Sequence, residues 1–430
     1  MRDKLISRRS VVATGAALAA SIVLPTLAVS KVARAASNAK VRIVVIGGGF
    51  GGAAAARSAK ATLPKAEVIL LTDQASFWMC PGSNAVITGL SDISSIEIGY
   101  GNLSARGIDV RLDPATAVDP DKHTVTTQGG TTIRYDKLIM SPGVAFDYTD
   151  IEGLSLDTID RVPHAWRAGP QTTLLKQQLH AMDDGGLFVM TMPRAPYRCP
   201  PAPAERACLV ADYLKREKPK SKLLILDAKD EFPFQDLFSE AWDELYSDII
   251  EYRSIADDGV VREVDTGSLT AMTDFDEIKA DVLNVIPPQT AGSIAITAGA
   301  TDATGWCPVD IQTFASTLLE DVYVIGDAAL ADPLPKAGST AASQARVAVD
   351  AIAASLAGDP VPSPTWIANC YSLAAPDYGI RLGASYVFED DHVTRNSTDF
   401  SVLGASTDTR EADARYAEVW LAQIKQEIWG

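Results

Sequence analysis

Five cysteines are the side chains in this sequence best suited to redox or nucleophilic chemistry. Because the count is odd, at least one of them lies outside any intramolecular disulfide. The alternative for each is a buried apolar thiol or a structural bridge. With 4 histidines and no Cys-x-x-Cys pair, the sequence predicts no metal site and no haem attached to this chain. The cysteines stand at Cys80, Cys199, Cys208, Cys307 and Cys370.

Cys199 has the local sequence of a reactive thiol. It lies in a turn directly before a predicted helix at residues 205–215, and the field at the N-terminus of a helix favours a thiolate. Glu205 begins that helix and places a carboxylate within two turns of the cysteine. The segment therefore fits thiol chemistry.

A glycine-rich turn predicts a dinucleotide site near the start of the chain. An apolar predicted strand at residues 41–46 runs into Gly47, Gly49 and Gly52, and a run of alanines then predicts a helix. In this G-x-G-x-x-G pattern the first glycine makes the turn, the second admits a diphosphate, and the third lets helix pack on strand. The diphosphate would sit at the positive end of the helix.

A second predicted strand follows at residues 68–71 and ends beside an acidic residue. The acid that holds the adenosine ribose in such folds aligns with Thr72, and Asp73 stands one residue later. We assign the ribose-binding role to Asp73.

Two further segments resemble the later flavin signatures of two-dinucleotide flavoproteins. Residues 135–143 read as a strand that ends in a small-residue turn at Gly143. Residues 322–328 read as a strand that ends at Gly326 and Asp327, whose carboxylate would bind the ribityl chain. The alternative for Asp327 is a helix cap. Three such signatures in this order predict FAD.

A second α/β unit lies between these signatures. Predicted strands at residues 186–192 and 222–227 flank the helix at 205–215. This is where pyridine-nucleotide reductases bind NAD(P)H. The turn at residues 193–203 holds several prolines and bulky side chains but no glycine, so backbone cannot approach a diphosphate there. A nicotinamide cofactor is therefore not expected.

Length and composition predict an acidic protein with several domains. The chain has 430 residues, 47% of them hydrophobic, and a formal net charge of -17. This length exceeds one ordinary core and suggests two or three domains. The charge disfavours nucleic acid and anionic membranes as partners, and it would attract a basic protein.

The first 35 residues read as an export signal. Two arginines at positions 8 and 9 precede a mildly apolar run and an Ala-x-Ala cleavage pattern at residues 33–35. The pattern predicts export to the periplasm by the twin-arginine route, which carries folded, cofactor-loaded proteins. A membrane anchor is the alternative, but the run is weakly hydrophobic, and no transmembrane segment is expected in the mature chain.

Five short segments resemble the flavoprotein subunit of flavocytochrome c sulfide dehydrogenase. They cover residues 163–169, 197–201, 284–289, 305–310 and 369–373. The resemblance implies an α/β fold of glutathione-reductase type, with two Rossmann-like dinucleotide-binding-type domains and a C-terminal α+β domain. The implied boundaries are 36–147 with 292–358 for the FAD domain, 148–291 for the second domain, and 359–430 for the C-terminal domain.

The same resemblance implies roles for particular residues. Cys80 would join FAD through a thioether, Cys199 and Cys370 would form the redox-active disulfide, Glu205 would be the active-site base, and Trp420 would lie near the flavin. Cys307 is a rival partner for Cys199. The implied reaction oxidises hydrosulfide to polysulfide or elemental sulfur, and the electrons pass to a separate c-type cytochrome subunit that carries the haem, in a heterodimer.

Two other functions remain open at this stage. A sulfide:quinone reductase would need an amphipathic surface that reaches the membrane. The chain end, residues 408–430, is a predicted helix whose apolar stripe we interpret as a packing face against the flavin domain. The other alternative, a non-catalytic flavin carrier, would need no dithiol. The stripe consists of Tyr416, Val419, Trp420, Ile424 and Ile428.

Overall fold

The computed structural model describes residues 40–430, so the predicted export signal lies outside the described residues. The helices are α1 (Phe50–Thr62), α2 (Ser83–Ile87), α3 (Gly101–Ala105), α4 (Pro170–Ala181), α5 (Ala202–Glu217), α6 (Gln235–Leu245), α7 (Ser293–Thr297), α8 (Gly338–Ala357) and α9 (Thr407–Trp429). The first twelve strands are β1 (Arg42–Ile46), β2 (Glu67–Thr72), β3 (Ser76–Trp78), β4 (Glu97–Gly99), β5 (Asp109–Leu112), β6 (Ala115–Asp119), β7 (Thr124–Thr127), β8 (Thr132–Arg134), β9 (Lys137–Met140), β10 (Val144–Phe146), β11 (Leu187–Met192) and β12 (Lys222–Asp227). The remaining strands are β13 (Ile250–Arg253), β14 (Glu263–Asp265), β15 (Thr270–Met272), β16 (Glu277–Lys279), β17 (Val282–Asn284), β18 (Gln289–Ala291), β19 (Cys307–Pro308), β20 (Val322–Val324), β21 (Ala329–Leu330), β22 (Thr365–Ala375), β23 (Tyr378–Glu389) and β24 (His392–Phe400).

The first parallel sheet carries the glycine-rich turn. Its strand order is β20-β9-β1-β2-β5, and β1 pairs in parallel with both β2 and β9. Residues 43–45 at its centre are completely buried, as expected for a strand covered on both faces. Helices α1 and α8 pack on this sheet through small alanine side chains. The three predicted signatures therefore end at the same edge of one sheet.

The second parallel sheet has the strand order β13-β12-β11-β17. Helices α4, α5 and α6 cover one face, and the antiparallel sheet β14-β15-β16 packs on the other. Strands β11 and β12 and helix α5 correspond to the predicted elements of the second unit, with α5 beginning three residues earlier, at Ala202 instead of Glu205. The second sheet thus places the turn that contains Cys199 at its C-terminal edge.

The C-terminal part combines the antiparallel sheet β22-β23-β24 with α9. The helix packs closely on β23, since a Cβ at Gly379 would lie 2.2 Å from the backbone nitrogen of Ala414. Two parallel sheets plus this α+β part confirm the predicted fold class. The residue boundaries of the domains stay a prediction.

The interpretation of the α9 stripe is correct for its end and wrong for its start. Ile424 and Ile428 are buried in the core of the first sheet, and Trp420 is half-buried. Tyr416 and Val419 are 55% and 60% exposed, because this half of the helix turns a different face inward, the one that carries Ala414 and Ala417. Within residues 40–430, no helix has the combined length and apolar character that crossing a bilayer requires.

The last turn of α9 is anchored beside the glycine-rich turn. The Trp429 ring stacks on Phe77 at 5.3 Å and meets Phe50 edge-on at 5.2 Å. The Arg106 guanidinium donates to the Gly430 carbonyl at 2.8 Å, and Arg57 donates to Gln426 at 3.0 Å. Arg106 thereby satisfies a carbonyl that the helix end leaves without a partner, and Arg57 adds a second donor to the Gln426 carbonyl, which also accepts from the Gly430 N–H. The chain end therefore braces α1 and the strand that leads to Cys80.

We predict that Trp429→Ala destabilises the protein by about 3–5 kcal/mol, because it empties a fully buried aromatic site. The measurement is the urea unfolding midpoint followed by circular dichroism. Val419→Ala, on the exposed face of the same helix, should change the free energy of unfolding by less than about 0.5 kcal/mol. Equal effects of the two substitutions would contradict the anchoring role.

Candidate active site

A cavity of about 560 Å³ brings together residues from five separate parts of the chain. They come from the segment around α2, from the loop before α4, from the start of α5, from the end of β22 and from α9. Five of the residues singled out in the sequence line this cavity: Cys80, Cys199, Glu205, Cys370 and Trp420.

Cys199 and Cys370 lie side by side in this cavity. Their thiols are in hydrogen-bonding contact, and all five cysteines of the chain are free thiols in the structure. Cys199 follows β11 and has a left-handed backbone with φ 57°, a conformation that costs energy for a non-glycine residue. Its N–H donates to the Lys336 carbonyl at 2.7 Å, which holds the turn in place.

The prediction of a helix-stabilised thiolate at Cys199 is wrong for this state. The hydrogen bond with Cys370 and burial raise the pKa of the Cys199 thiol well above its ordinary value. The Cys199 carbonyl accepts a hydrogen bond from the Ala202 N–H at 3.0 Å, so the helix start is occupied by backbone. A thiolate forms here when a base takes the proton of the thiol. It also forms when the cysteine is the leaving group in a disulfide exchange.

The other two cysteines lie outside the cavity. Cys307 is fully buried in the core of the first sheet, and burial raises the pKa of its thiol to about 12. Cys208 is buried in α5 and accepts a hydrogen bond from Trp242 Nε1 at 3.1 Å. The geometry therefore supports Cys370, and not Cys307, as the neighbour of Cys199.

Glu205 is the acidic side chain closest to the paired cysteines in sequence and packing. Its Oε2 accepts a hydrogen bond from Asn84 Nδ2 at 2.8 Å, and its Oε1 accepts one from the Leu373 N–H at 3.1 Å. Burial raises the pKa of this carboxyl, while the two hydrogen bonds and the charge of Arg206 act against that shift. Such an environment moves a glutamate toward titration nearer neutral pH.

A buried arginine beside Glu205 escaped prediction from the sequence. Arg206 is 1% exposed, and its guanidinium lies 5.0 Å from the Trp166 ring. It donates to Asn284 Oδ1 at 2.9 Å and to Asn84 Oδ1 at 3.0 Å, and burial lowers its pKa to about 9. Two features of the sequence could have indicated this arginine site. Asn84 stands beside the Cys80 loop, and Asn284 is the first residue of the segment 284–289.

The glycine-rich turn fits a dinucleotide diphosphate. Gly47 has φ 102°, and a Cβ on it would lie 2.2 Å from the Ser141 carbonyl oxygen. A Cβ on Gly52 would lie 1.8 Å from the Gly47 carbonyl oxygen. Gly49 is the N-cap of α1, and no side chain in the described chain caps that helix start. Its amides therefore remain available to an anionic group.

The carboxylate of Asp327 fits a polyhydroxyl chain such as ribityl. Its Oδ1 is buried and has no hydrogen-bond partner among residues 40–430, which is costly unless a ligand supplies one. Asp327 does not cap the following helix, because α8 begins only at Gly338. Lys336 Nζ donates to the Asp327 carbonyl at 2.8 Å. Gly143 and Gly326 both have positive φ, 66° and 76°, at the ends of their strands.

Asp73 is engaged by an arginine in this structure. Its carboxylate pairs with Arg167 at 2.6 Å, and both side chains are more than half exposed. A Cβ on Gly48 would instead approach Thr72 Oγ1 and the Tyr100 hydroxyl, so those two groups face the glycine-rich turn. The ribose-binding role of Asp73 stays a prediction.

The second sheet has an acidic residue at the end of β12, where nucleotide-binding folds hold a ribose. This residue, Asp227, is completely buried. Its carboxylate accepts hydrogen bonds from Lys229 Nζ at 2.5 Å and from the Tyr252 hydroxyl at 3.0 Å. These side chains engage both carboxylate oxygens from within the protein.

Individual relatives and solved structures include several sulfide-oxidising flavoproteins. The mitochondrial sulfide:quinone oxidoreductase of Mus musculus is 22% identical over 307 residues, which span 66% of this chain and 65% of that protein. The sulfide:quinone oxidoreductase structure from Aquifex aeolicus has a TM-score of 0.71 at 18% identity and covers 90% of this chain and 92% of that one. The latter similarity shows the fold.

Family models match three consecutive parts of the chain. Residues 41–178 match pyridine nucleotide-disulphide oxidoreductases. Residues 172–287 match the central part of the sulfide dehydrogenase [flavocytochrome c] flavoprotein chain, and residues 362–429 match the flavin-binding part of flavocytochrome c sulphide dehydrogenase. The flavoprotein chain of sulfide dehydrogenase from Chlorobaculum thiosulfatiphilum is 47% identical over 45 residues, 10% of this chain and 94% of that sequence. The glycine-rich turn, the cysteine pair and these matches lead to one conclusion: the chain belongs to the FAD-binding flavoprotein chains of flavocytochrome c sulfide dehydrogenase.

Proposed function

We propose that this protein oxidises hydrosulfide through the Cys199 and Cys370 pair and bound FAD, and that it passes the electrons to a c-type cytochrome. One observation carries this proposal. A cysteine in the turn after β11 and a cysteine in β22 lie in contact in a cavity that also contains Cys80 and Glu205.

In the first step, hydrosulfide attacks one sulfur of the oxidised Cys199–Cys370 disulfide. A bond forms between the substrate sulfur and one cysteine, and the disulfide bond breaks with release of the other cysteine as thiolate. A second hydrosulfide then attacks the outer sulfur of the persulfide and leaves as a hydrodisulfide, which returns that cysteine as a thiolate. FAD held by the glycine-rich turn and Asp327 would supply the two-electron oxidation that returns the two cysteine thiolates to the disulfide, and the single-electron transfers to a one-electron acceptor.

Glu205 accepts and releases the protons of this reaction. Because the pKa of the Cys199 thiol is raised in this environment, the thiol does not ionise unaided near neutral pH. The Glu205 carboxylate, in the same cavity, accepts the proton that hydrosulfide or a cysteine thiol gives up. Two hydrogen bonds hold it in position for this task.

The exit of electrons to a cytochrome is supported by the second sheet. The proline-rich turn after β11 presents no glycine to a diphosphate, and Asp227 is already engaged by Lys229 and Tyr252. The net charge of -17 would attract a basic cytochrome surface. We propose a heterodimer in which the haem belongs to the cytochrome subunit. The twin-arginine pattern supports a periplasmic location.

A sulfide:quinone reductase is the second candidate. It is favoured by the exposed Tyr416 and Val419 on α9, which flank Trp420 at the cavity, and by the similarity to the sulfide:quinone oxidoreductases of Mus musculus and Aquifex aeolicus. The identity of the electron acceptor separates the two candidates.

We predict that Cys199→Ser lowers the rate of flavin bleaching by anaerobic sulfide by about two orders of magnitude or more, because no disulfide can form. Stopped-flow absorbance of the purified holoprotein measures this rate. Cys307→Ala is the control and should bleach at nearly the rate of the unchanged protein. Undiminished bleaching in Cys199→Ser would instead favour a flavin carrier without dithiol chemistry.

The dependence of turnover on pH should report Glu205. Since burial raises the pKa of this carboxyl, its proton-accepting form is lost as the pH falls through a value higher than that of an ordinary glutamate. Steady-state rates across pH should show this acid limb. Glu205→Gln should lose the limb and fall about 10²–10⁴-fold in rate, whereas Glu411→Gln on α9 should change neither. An unchanged profile in Glu205→Gln would exclude the proposed base.

We also propose that Cys80 joins FAD through a thioether, since its Sγ lines the same cavity, 3.7 Å from the Trp166 carbonyl oxygen. Acid-precipitated protein should then stay yellow, and its intact mass should exceed the polypeptide mass by one FAD. Cys80→Ser should release all its flavin on precipitation. Complete release from the unchanged protein would refute the bond and leave the fold unaffected.

A further inference from the structure

Glu205 and Arg206 are neighbours in α5 and carry opposite charges; Arg206 is buried and Glu205 is half-buried, and each is engaged by Asn84 in the described part of the chain. The Asn84 amide donates to Glu205 Oε2 at 2.8 Å and to the Ala202 carbonyl at 3.3 Å. Its carbonyl oxygen accepts from Arg206 Nε at 3.0 Å. Asn84 itself is 4% exposed. A neutral side chain thus lies between the two charges.

Arg206 is held away from the carboxylate by other partners as well. Its Nη1 donates to Asn284 Oδ1 at 2.9 Å and to the His164 carbonyl at 2.8 Å, and its Nη2 donates to the Ala165 carbonyl at 2.7 Å. These bonds fix the guanidinium independently of Asn84. A direct ion pair would have held Glu205 ionised and unable to take up a proton near neutral pH.

The amide satisfies both neighbours at this position. It offers an N–H to the carboxylate and an oxygen to the guanidinium in one planar group. An aspartate would place a second negative charge beside Glu205, and an aliphatic side chain would leave both neighbours with an unmet hydrogen bond. Asn84 belongs to the short helix α2, and the hydroxyl of Ser83 at its start donates to the Cys80 carbonyl at 2.6 Å.

We propose that Asn84 is a positioning residue that holds the Glu205 carboxylate in the cavity by a donated hydrogen bond. Glu205 then receives a proton from hydrosulfide or a cysteine thiol at a carboxylate oxygen and later releases it to solvent. This inference rests on the proposed function.

Several charged and titratable groups share the surroundings of Glu205 and act on its protonation. Arg206 and Cys208 belong to its own helix, and Cys199 precedes that helix. Cys80 and Arg198 come from the loops before α2 and α5, and Cys370 from β22. Glu418 and Lys425 line the same cavity from α9. Substitution of Asn84 leaves all of these groups unchanged, so it isolates the contribution of the amide.

The test compares Asn84→Leu and Asn84→Asp with the unchanged holoprotein. Two quantities are measured against pH: the turnover rate with sulfide, and the infrared band of the protonated Glu205 carboxyl, assigned by its absence in Glu205→Gln. Loss of the donated hydrogen bond in Asn84→Leu should move both midpoints up by about one pH unit. Asn84→Asp should move them further in the same direction, because it adds a like charge. The aspartate variant also conserves the volume of the side chain, so it provides the test if the leucine variant does not fold.

The control is Thr88→Val, a substitution of nearly equal volume at a buried position next to α2. Among the described residues, the Thr88 hydroxyl donates only to backbone carbonyls of that helix. This substitution should leave both midpoints in place. A lower rate with unmoved midpoints in both Asn84 variants, or midpoints that move down, would overturn the inference. If the infrared midpoint moves while turnover is independent of Glu205, the positioning role stands and the proposed catalytic role of Glu205 fails.

Discussion

The hydrogen bond from the Cys199 amide to the Lys336 carbonyl, at 2.7 Å, is the contact on which the site depends most directly. It fixes a left-handed turn that presents the Cys199 thiol to Cys370. The same lysine donates through Nζ to the carbonyls of Asp327 and Ala329, both at 2.8 Å. One residue therefore ties the reactive thiol of the second sheet to the acid that ends the third flavin signature of the first.

Burial is the second constraint on the site, because the pKa shifts that it causes determine which groups need a base in order to react. It raises the pKa of Glu205, lowers that of Arg206, and adds to the effect of the Cys370 hydrogen bond, which raises the pKa of Cys199. The cavity therefore disfavours a resting thiolate and requires a base whose own pKa is raised. The Arg206 guanidinium donates hydrogen bonds to amide and carbonyl oxygens and not to the Glu205 carboxylate. The electrostatics and the proposed chemistry are consistent, because proton transfer between Glu205 and the thiols requires neither to be locked in its charged form.

Features encoded by short stretches of sequence were predictable, whereas features that depend on distant contacts were not. The glycine-rich turn and the strands around Cys199 follow from local patterns of apolar and small residues, and the structure contains them. The position of Cys370 opposite Cys199 was available only through family resemblance, since β22 lies far along the chain. The raised pKa of Cys199 contradicts the local helix argument, because the neighbouring thiol and burial outweigh the helix field. Arg206 escaped prediction because a charged residue in a helix ordinarily faces solvent.

The proposed function is tested most directly by identifying the electron acceptor that the protein uses in sulfide oxidation. Purified protein is mixed anaerobically with sulfide and oxidised cytochrome c, without quinone, lipid or detergent, and the absorbances of flavin and haem are followed together. The account predicts rapid flavin bleaching followed by sulfide-dependent cytochrome reduction, whose rate falls as added salt screens the acidic surface. Cytochrome that stays oxidised while added quinone is reduced would contradict it.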